Sequence, residues 1–450
     1  MGPSPSKEEM MRKSNPVKGK ADEFYFACRE GNLDYVKETL PAMTWEELNQ
    51  LQPNGSTYLH VASHTGRTEI VRLLLQHGCV RSNLNLYGLT PYDEAWSEEI
   101  KVLFHRPRDE RGGCRFVDND IDETFRLTSS LAATADSPSM RTTMNEDDEQ
   151  INEIDGDADF VINEWVETFN HFDKYSALMV GTIFKSNLFY RLVGLKRSSL
   201  HLMMDYVLSI SLTENDRGNP AIYSILNEYQ TRREIKSLLA LYTHQSSFYT
   251  SLRDDSKCAA FTTLLYRNLS KIRRRFYKGT SYRGMKLQKK ELSAYFSLSR
   301  HTGFALMNTK FQSSSKNKEV AKLFFNPADI PDDSNIREYM VLIEYHFLEP
   351  CESAIDLAPT VETNLSAYPH EQEVLILPHT LFELFEMKYD ETTKTAIIRL
   401  KHIVPRGIFS SLRCAVKEFQ TMTPEDLQQT LSRLERNVKS MMEFVNNSDN

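Results

Sequence analysis

The spacing of apolar positions changes along the chain, and each change predicts a different kind of structure. Before about residue 104, and again from about residue 161, apolar residues recur every three or four positions, as in amphipathic helices. After about residue 276 the apolar runs are short and rich in β-branched and aromatic residues, which favours strands. Helices followed by strands, without alternation, predict an α+β fold. In the later part of the chain we predict helices at 161–172, 177–195, 199–212, 223–242 and 261–274, and strands at 280–284, 304–313, 339–347, 373–377, 381–387 and 395–404.

An internal repeat occupies the first helical region. Residues 27–36 align with residues 62–71 at an offset of 35, and residues 55–60 align with residues 88–93 at an offset of 33. The pattern resembles the ankyrin repeat, whose T-P-L-H-x-A segment opens a pair of short helices. The copy at 55–87 matches best, and its neighbours are degenerate, as terminal repeats that cap a stack tend to be. An unrelated pair of helical hairpins is the alternative.

Segments of low apolar content bound these regions and predict the domain limits. We predict a disordered N-terminus at residues 1–20, ankyrin-like repeats at residues 21–104 and an acidic flexible linker at residues 105–160. An Asp-x-Asp-x-Asp run in the linker has calcium-loop spacing, but it lacks the required later Gly and Glu, so we predict no metal site. Residues 423–445 predict an amphipathic helix that packs on its own domain or pairs with another chain.

Composition narrows the classes of function. With 450 residues, of which 40% are hydrophobic, the chain can form two or three domains with sizeable cores. A net charge of −8 argues against general binding to nucleic acid or to an anionic membrane surface. Six scattered cysteines without a C-x-x-C pair are typical of reduced thiols. With no sign of a leader, a spanning segment or a lipid-anchor tail, we expect a cytoplasmic protein.

Two carboxylates with one residue between them stand at the start of the apolar run at 373–377. On an extended backbone Glu371 and Glu373 would point to the same face. Like charges there repel each other and drive pKa values apart. Solubility does not require this arrangement. Chemistry at a sugar carbon often does, because a cation-like transition state needs a carboxylate and an incoming nucleophile needs a base.

Three short segments, in this order, carry a family resemblance. They are Tyr282-Arg283-Gly284, then Ser313-Ser314-Ser315, then Glu371-Gln372-Glu373 followed by Val-Leu-Ile-Leu-Pro. Together they resemble the arginine-specific, animal-type mono-ADP-ribosyltransferases of the Arg–Ser–Glu class. Each segment alone is a weak signal, whereas the three in order are specific. The resemblance implies a mixed β-sandwich catalytic domain, joined to a helical subdomain over residues 161–410. It also implies that NAD is the cosubstrate, with use of NADP left open, and that a protein arginine accepts the ADP-ribose.

The resemblance implies roles for the residues of the NAD site. Arg283 would bind the NAD diphosphate, for which a planar guanidinium fork is well suited. Gly284 would let the backbone approach the nicotinamide amide. Ser313 would support the catalytic glutamate and the ribose. Phe325 or Phe324 would stack on the nicotinamide ring, and core packing is the equal alternative for both.

The same resemblance separates the two glutamates. Glu373 matches the catalytic glutamate, which stabilises the oxocarbenium ion as the bond to nicotinamide breaks. Glu371 matches the additional glutamate of arginine-specific members. An arginine stays protonated near neutral pH, so it needs a carboxylate to orient it and a base to take its proton. Tyr368 would contact the target protein or pack within its turn, and we expect His370 to be exposed.

Two other functions remain compatible with these residues. An NAD glycohydrolase would use water as the acceptor and would need Glu373 but not Glu371. A non-catalytic scaffold would join ankyrin repeats to a decayed transferase domain. The chain contains no G-x-G-x-x-G, so NAD would be bound without a Rossmann motif. In the transferase hypothesis the repeats select the target protein.

Overall fold

The computed structural model describes residues 21–106, 166–169, 197–288, 291–293, 295–296, 305–308, 310–322, 338–358, 365–390 and 395–404. These residues belong to two compact units, the first within Met1–Arg108, Leu195–Arg275 and Asp356–Val374, and the second within Asp109–Gly194, Phe276–Ile355 and Leu375–Asn450. The predicted N-terminus, nearly all of the predicted linker, the predicted helices at 177–195 and 423–445, and both Phe324 and Phe325 lie outside the described residues.

The first unit begins with short paired helices, and the predicted ankyrin repeats are confirmed. Their buried apolar side chains, including Leu59, Ile70 and Leu74, form one continuous core. Repeated short helices of this kind cannot bury their apolar faces alone, and stacking them produces the core. The helices are α1 (Glu23–Glu30), α2 (Leu33–Thr39), α3 (Trp45–Asn49), α4 (Tyr58–His64), α5 (Thr68–Gln76) and α6 (Glu98–Phe104), with a 3₁₀ turn at Leu40–Ala42.

The repeated sequence motif caps one helix and joins it to the next repeat. Thr57 Oγ1 accepts a hydrogen bond from the His60 backbone N–H at 3.3 Å, so Thr57 begins α4. His60 Nε2 lies 3.1 Å from the carbonyl oxygen of Leu89 in the following repeat. The turn before the motif needs glycine, because Gly55 has a φ of +76° and a Cβ there would lie 2.0 Å from Leu86 Cγ.

A helical segment completes most of the first unit. The predicted helix at 223–242 is interrupted, because Arg233 adopts the left-handed conformation with a φ of 54° and ends α9. The predicted helix at 261–274 is also shorter, since its second half is a 3₁₀ turn at Leu269–Arg275. The helices are α7 (Arg197–Ser211), α8 (Glu214–Gly218), α9 (Pro220–Arg232), α10 (Ile235–Thr243), α11 (Ser247–Ser251) and α12 (Asp255–Asn268).

A mixed sheet forms the second unit, as the α+β prediction requires. The described strands are hydrogen-bonded in the order β1-β3-β7-β8-β5-β2-β4-β6. β5 runs parallel to β8 and antiparallel to β2, and its central residues are buried on both faces. The elements are β1 (Val166–Phe169), β2 (Phe276–Gln288), β3 (Ala305–Asn308), β4 (Gln312–Ser315), α13 (Lys318–Lys322), β5 (Glu338–Asp356), β6 (Glu373–Ile376), β7 (Leu381–Asp390) and β8 (Thr395–His402).

Two predictions in this region are wrong. The predicted helix at 161–172 contains strand β1, which pairs antiparallel with β3. Over so short an apolar run, spacing alone does not separate helix from strand, and pairing with another strand decides. The predicted strand at 304–313 is two strands, β3 and β4. Across the parts of the chain that the structure describes, no helix is both long enough and apolar enough to cross a membrane.

Candidate active site

The two glutamates lie in different backbone conformations. Residues 369–371 form a 3₁₀ turn, closed by a 3.1 Å hydrogen bond from the Glu371 N–H to the Tyr368 carbonyl oxygen. Gln372 is left-handed, with φ 46° and ψ 48°, and β6 begins at Glu373. The expectation that both glutamates lie on one extended strand is therefore wrong. We call residues 368–373 the carboxylate turn.

Glu371 binds a guanidinium group of its own chain. Arg106 Nε donates to Glu371 Oε1 at 3.2 Å, and Arg106 Nη2 donates to Glu371 Oε2 at 2.9 Å. The two side chains are only 8% and 3% exposed. Parallel N–H···O bonds of this kind are the strong, directional mode of arginine–carboxylate recognition. Glu371 is thus positioned and oriented to hold an arginine.

Two further groups complete the surroundings of this guanidinium. Arg106 Nη1 donates to the carbonyl oxygen of Thr243 at 3.0 Å, at the end of α10. Arg106 Cζ lies 3.9 Å from the ring centroid of Tyr368, which is buried, and this contact is a cation–π interaction. We call Glu371, Tyr368 and the Thr243 carbonyl the guanidinium pocket. The pocket offers a carboxylate, a carbonyl and an aromatic face.

The Thr243 side chain anchors the segment that leads into the carboxylate turn. Thr243 Oγ1 accepts a hydrogen bond from the Ala367 N–H at 2.9 Å and lies 3.2 Å from the carbonyl oxygen of Leu365. One residue later, the Tyr368 N–H donates to Ser366 Oγ at 3.1 Å. These bonds fix the backbone that carries Tyr368, so the pocket is held by α10 as well as by its own turn.

The pKa values of two arginines near Tyr368 shift in opposite directions. Burial alone would lower the pKa of Arg106, but the Glu371 carboxylate outweighs it, and the net effect is a raised pKa. Glu373 adds to the same rise. Arg81, whose Cζ is 5.3 Å from the Tyr368 ring centroid, has a lowered pKa, because burial dominates and Arg106 repels it. The carboxylates therefore specifically favour the charged form of Arg106.

An aromatic stack joins the end of the repeats to the carboxylate turn. The His370 ring centroid lies 4.7 Å from that of Tyr92 and 5.1 Å from that of His105. The expectation that His370 is exposed is wrong, since this stack covers it. Burial lowers the pKa of His370 to about 3, and repulsion from Arg106, from Arg81 and from His105 when protonated acts in the same direction. His370 is therefore neutral near neutral pH.

Glu373, the predicted catalytic residue, is fully buried. Its exposed fraction is 0%, and its backbone carbonyl accepts a hydrogen bond from the Leu357 N–H at 2.9 Å. Because it opens β6, its backbone position is set by strand pairing rather than by the preceding turn. Within the described residues no group of His, Cys, Asp and Glu is arranged to hold a metal ion.

The first two sequence motifs come together in the second unit. Arg283 on β2 is 5% exposed, and its Nη1 donates to the Ser313 carbonyl oxygen on β4 at 2.8 Å. The strands pair next to this contact, at Tyr282 and Ser315. Gly284 lies opposite Leu342 of β5. Arg283 and Ser313, two of the residues predicted to bind NAD, are thus brought together on the paired strands β2 and β4.

Sequence reasoning missed Arg106, Thr243 and Tyr92. Arg106 stands 265 residues before Glu371, at the start of the predicted linker. No motif marks it, because its role depends on which surface the chain brings it to. The charged segment after α6 contains several arginines, and sequence alone does not separate them.

Comparison with known proteins adds the following. A family model for ankyrin repeats matches residues 24–106, in three copies. Among solved structures, the ADP-ribosyltransferase HopU1 of Pseudomonas syringae pv. Tomato DC3000 is 15% identical, with 46% of this chain and 96% of that chain covered and a TM-score of 0.30. The Vis toxin, an ADP-ribosyltransferase from Vibrio splendidus, is 16% identical, with 48% and 89% covered and a TM-score of 0.23. The Clostridium limosum C3 exoenzyme is 12% identical, with 45% and 95% covered and a TM-score of 0.25. These likenesses concern the fold alone.

Proposed function

We propose that this chain is an NAD-dependent mono-ADP-ribosyltransferase whose acceptor is the guanidinium group of a protein arginine. The observation that carries the proposal is the guanidinium pocket, in which Glu371 holds an arginine through two hydrogen bonds of 3.2 and 2.9 Å. A pocket with a carboxylate fork, a carbonyl acceptor and an aromatic face matches the donors and the flat surface of a guanidinium. The order of the three sequence motifs supports the same activity.

In this proposal the second unit supplies the groups that hold NAD. Arg283 would bind the diphosphate, Gly284 the nicotinamide amide, and Ser313 the ribose and the catalytic glutamate. The buried position of Arg283 supports this role, because a guanidinium removed from water binds phosphate more strongly than an exposed one. Phe325 remains a predicted contact of the nicotinamide ring.

The chemical step exchanges one bond for another at the ribose. The bond between C1 of the ribose and the nicotinamide nitrogen breaks, and nicotinamide leaves with the electron pair. The carboxylate of Glu373 stabilises the cation that develops on the ribose. A guanidinium nitrogen of the target forms the new bond to C1 and loses a proton, which Glu371 accepts. The buried setting of both acids strengthens these electrostatic effects.

The test uses the full-length chain with NAD and with agmatine, a small guanidine, at a saturating concentration. We expect nicotinamide release and ADP-ribosylated agmatine, and loss of both in Glu373→Gln. Glu371→Gln should lose transfer to agmatine but still release nicotinamide to water. Glu349→Gln changes an exposed carboxylate in the same way and is the matched control. Mass spectrometry of a lysate treated with NAD that finds ADP-ribose on Asp, Glu or Cys instead of Arg would contradict the assigned acceptor.

One observation favours NAD glycohydrolase activity as the second candidate. Arg106 fills the guanidinium pocket, and water is then the acceptor that remains. An enzyme of this kind would release nicotinamide at the same rate with and without agmatine, and Glu371→Gln would leave that rate unchanged. The choice of target protein by the ankyrin repeats, and the use of NADP, are open parts of the proposal.

A further inference from the structure

We propose that Arg106 is a built-in competitor for the acceptor site, so that the end of the ankyrin repeats holds the enzyme closed to its targets. This proposal rests on the proposed function and deepens it. It identifies the group that a target arginine must displace, and it assigns the repeats a regulatory contact with the site.

Occupation by Arg106 and by a target are mutually exclusive. Both oxygens of Glu371 already accept hydrogen bonds from Arg106, and the exposed fraction of the Glu371 side chain is 3%. The face of Tyr368 is covered by the same guanidinium, at 3.9 Å. A second arginine therefore has neither the carboxylate nor the ring face available until Arg106 leaves.

Arg106 lies on a segment whose contacts with the carboxylate turn are made by side chains. It follows the C-cap of α6, where His105 has left the helix with an extended ψ of 152°. His105 makes its own contact with the turn by stacking on His370 at 5.1 Å. Displacement of residues 105 and 106 thus breaks the ion pair with Glu371 and the contact between His105 and His370 together. A protein that binds the repeats near α6 and moves this segment would open the site.

A purely structural ion pair is the alternative explanation of the same contact. The two explanations differ in what happens when Arg106 is removed. A structural pair, once broken, leaves a damaged site that transfers less well. A competitor, once removed, leaves an empty pocket that binds guanidines more tightly, because the apparent affinity rises with the fraction of open molecules.

The kinetic test compares Arg106→Ala and Arg106→Lys with the wild-type chain. We expect Arg106→Ala to lower the KM for agmatine about 10- to 100-fold, which is within the usual range of such couplings. The KM of Arg106→Lys should lie between those of Arg106→Ala and the wild type, since lysine keeps the charge but lacks the guanidinium fork. Arg72→Ala is the matched control, because Arg72 pairs with Glu69 on the surface of α5 at 3.5 Å and lies outside the pocket. Its KM should equal that of the wild type.

A second measurement follows the pocket without NAD. Agmatine should raise the melting temperature of Arg106→Ala by filling the vacated pocket, because a ligand that binds only the folded state stabilises it. The wild-type chain and Arg72→Ala should show little or no shift at the same agmatine concentration. If Arg106→Ala does not fold, Arg106→Lys carries both measurements.

Three results would overturn the proposal: a KM for agmatine that is unchanged or higher in the Arg106 variants, an agmatine shift that is equal in all proteins, or stoichiometric ADP-ribosylation of Arg106, which would make it a substrate. Failure of the proposed function looks different. No protein would then release nicotinamide from NAD, whereas the agmatine shift of Arg106→Ala would still report on the pocket.

Discussion

Glu371 and Glu373 are both buried and are separated by a single residue, yet their surroundings differ. Glu371 lies in a 3₁₀ turn, where both its oxygens accept hydrogen bonds from Arg106. Glu373 opens a strand whose neighbours position its backbone. The left-handed Gln372 between them turns the chain, so one acid is held by a turn and a cation and the other by the sheet. Two like charges can therefore be close in sequence while each has a separate environment and a separate proposed task.

The largest expected effect is on the free energy of unfolding, and it concerns Glu371 and its partner Arg106. Removing one partner of a buried ion pair leaves an uncompensated charge, so Glu371→Gln and Arg106→Ala should each lower the free energy of unfolding by about 3–5 kcal/mol. Urea unfolding of the two single variants and the double variant measures this. The double variant should be destabilised by less than the sum, and simple additivity would show that the pair does not interact.

Replacement of Glu373 should affect chemistry more than folding. Glu373→Gln keeps the shape of the side chain and removes the charge that stabilises the ribose cation. We expect nicotinamide release to fall about 10²- to 10³-fold, as for loss of one key electrostatic group. Glu371→Gln, assayed without agmatine, should retain most of the release. Equal losses in the two variants would mean that the glutamates do not have separate roles.

The stack on His370 predicts a pH dependence of stability. The pKa of His370 is lowered to about 3 in the folded protein, chiefly by burial, so the unfolded chain binds more protons between that value and the usual value of about 6.5. The contribution is complete above about pH 6.5 and is lost as the pH falls toward 3, by at most about 1.4 kcal/mol per pH unit.

The control for this effect is His370→Phe, which keeps a ring in the stack without a titrating group. Asp93, His105, Arg81 and Arg106 surround position 370 in both the wild type and the variant, so titration that they undergo in both proteins cancels in the difference between the two stability curves. Parallel curves between about pH 4 and 6.5 would show that His370 does not carry the effect.

The smallest effect concerns Gln372. A non-glycine residue in the left-handed region is strained by about 1–2 kcal/mol, and glycine removes that strain at some entropic cost. Gln372→Gly should therefore raise the free energy of unfolding by no more than about 1 kcal/mol, whereas Gln372→Val should lower it. Thermal unfolding checks both. A strongly destabilised glycine variant would show that the Gln372 side chain, rather than its backbone, separates the two glutamates.

Short-range features of the sequence were sufficient for the repeats and for the fold class. The cap at Thr57 joins two residues three positions apart, and the motif that contains it recurs along the chain, so both spacings are visible in the sequence. The change from helical to strand-like spacing of apolar residues is also a local feature, and it predicted the α+β fold class. Local preference was weak at Val166–Phe169, where pairing with β3 determines a strand. It was also weak at Arg233, where a left-handed residue ends the helix.

The sequence by itself determined the order in which Arg283, Ser313, Glu371 and Glu373 follow one another, and this order predicts them as the site to be tested. Only the tertiary structure decided what Glu371 binds. Its partner, Arg106, stands 265 residues earlier and has no motif of its own. Contacts over such distances depend on how the repeats, α10 and the carboxylate turn pack together, and a sequence pattern records only spacing along the chain.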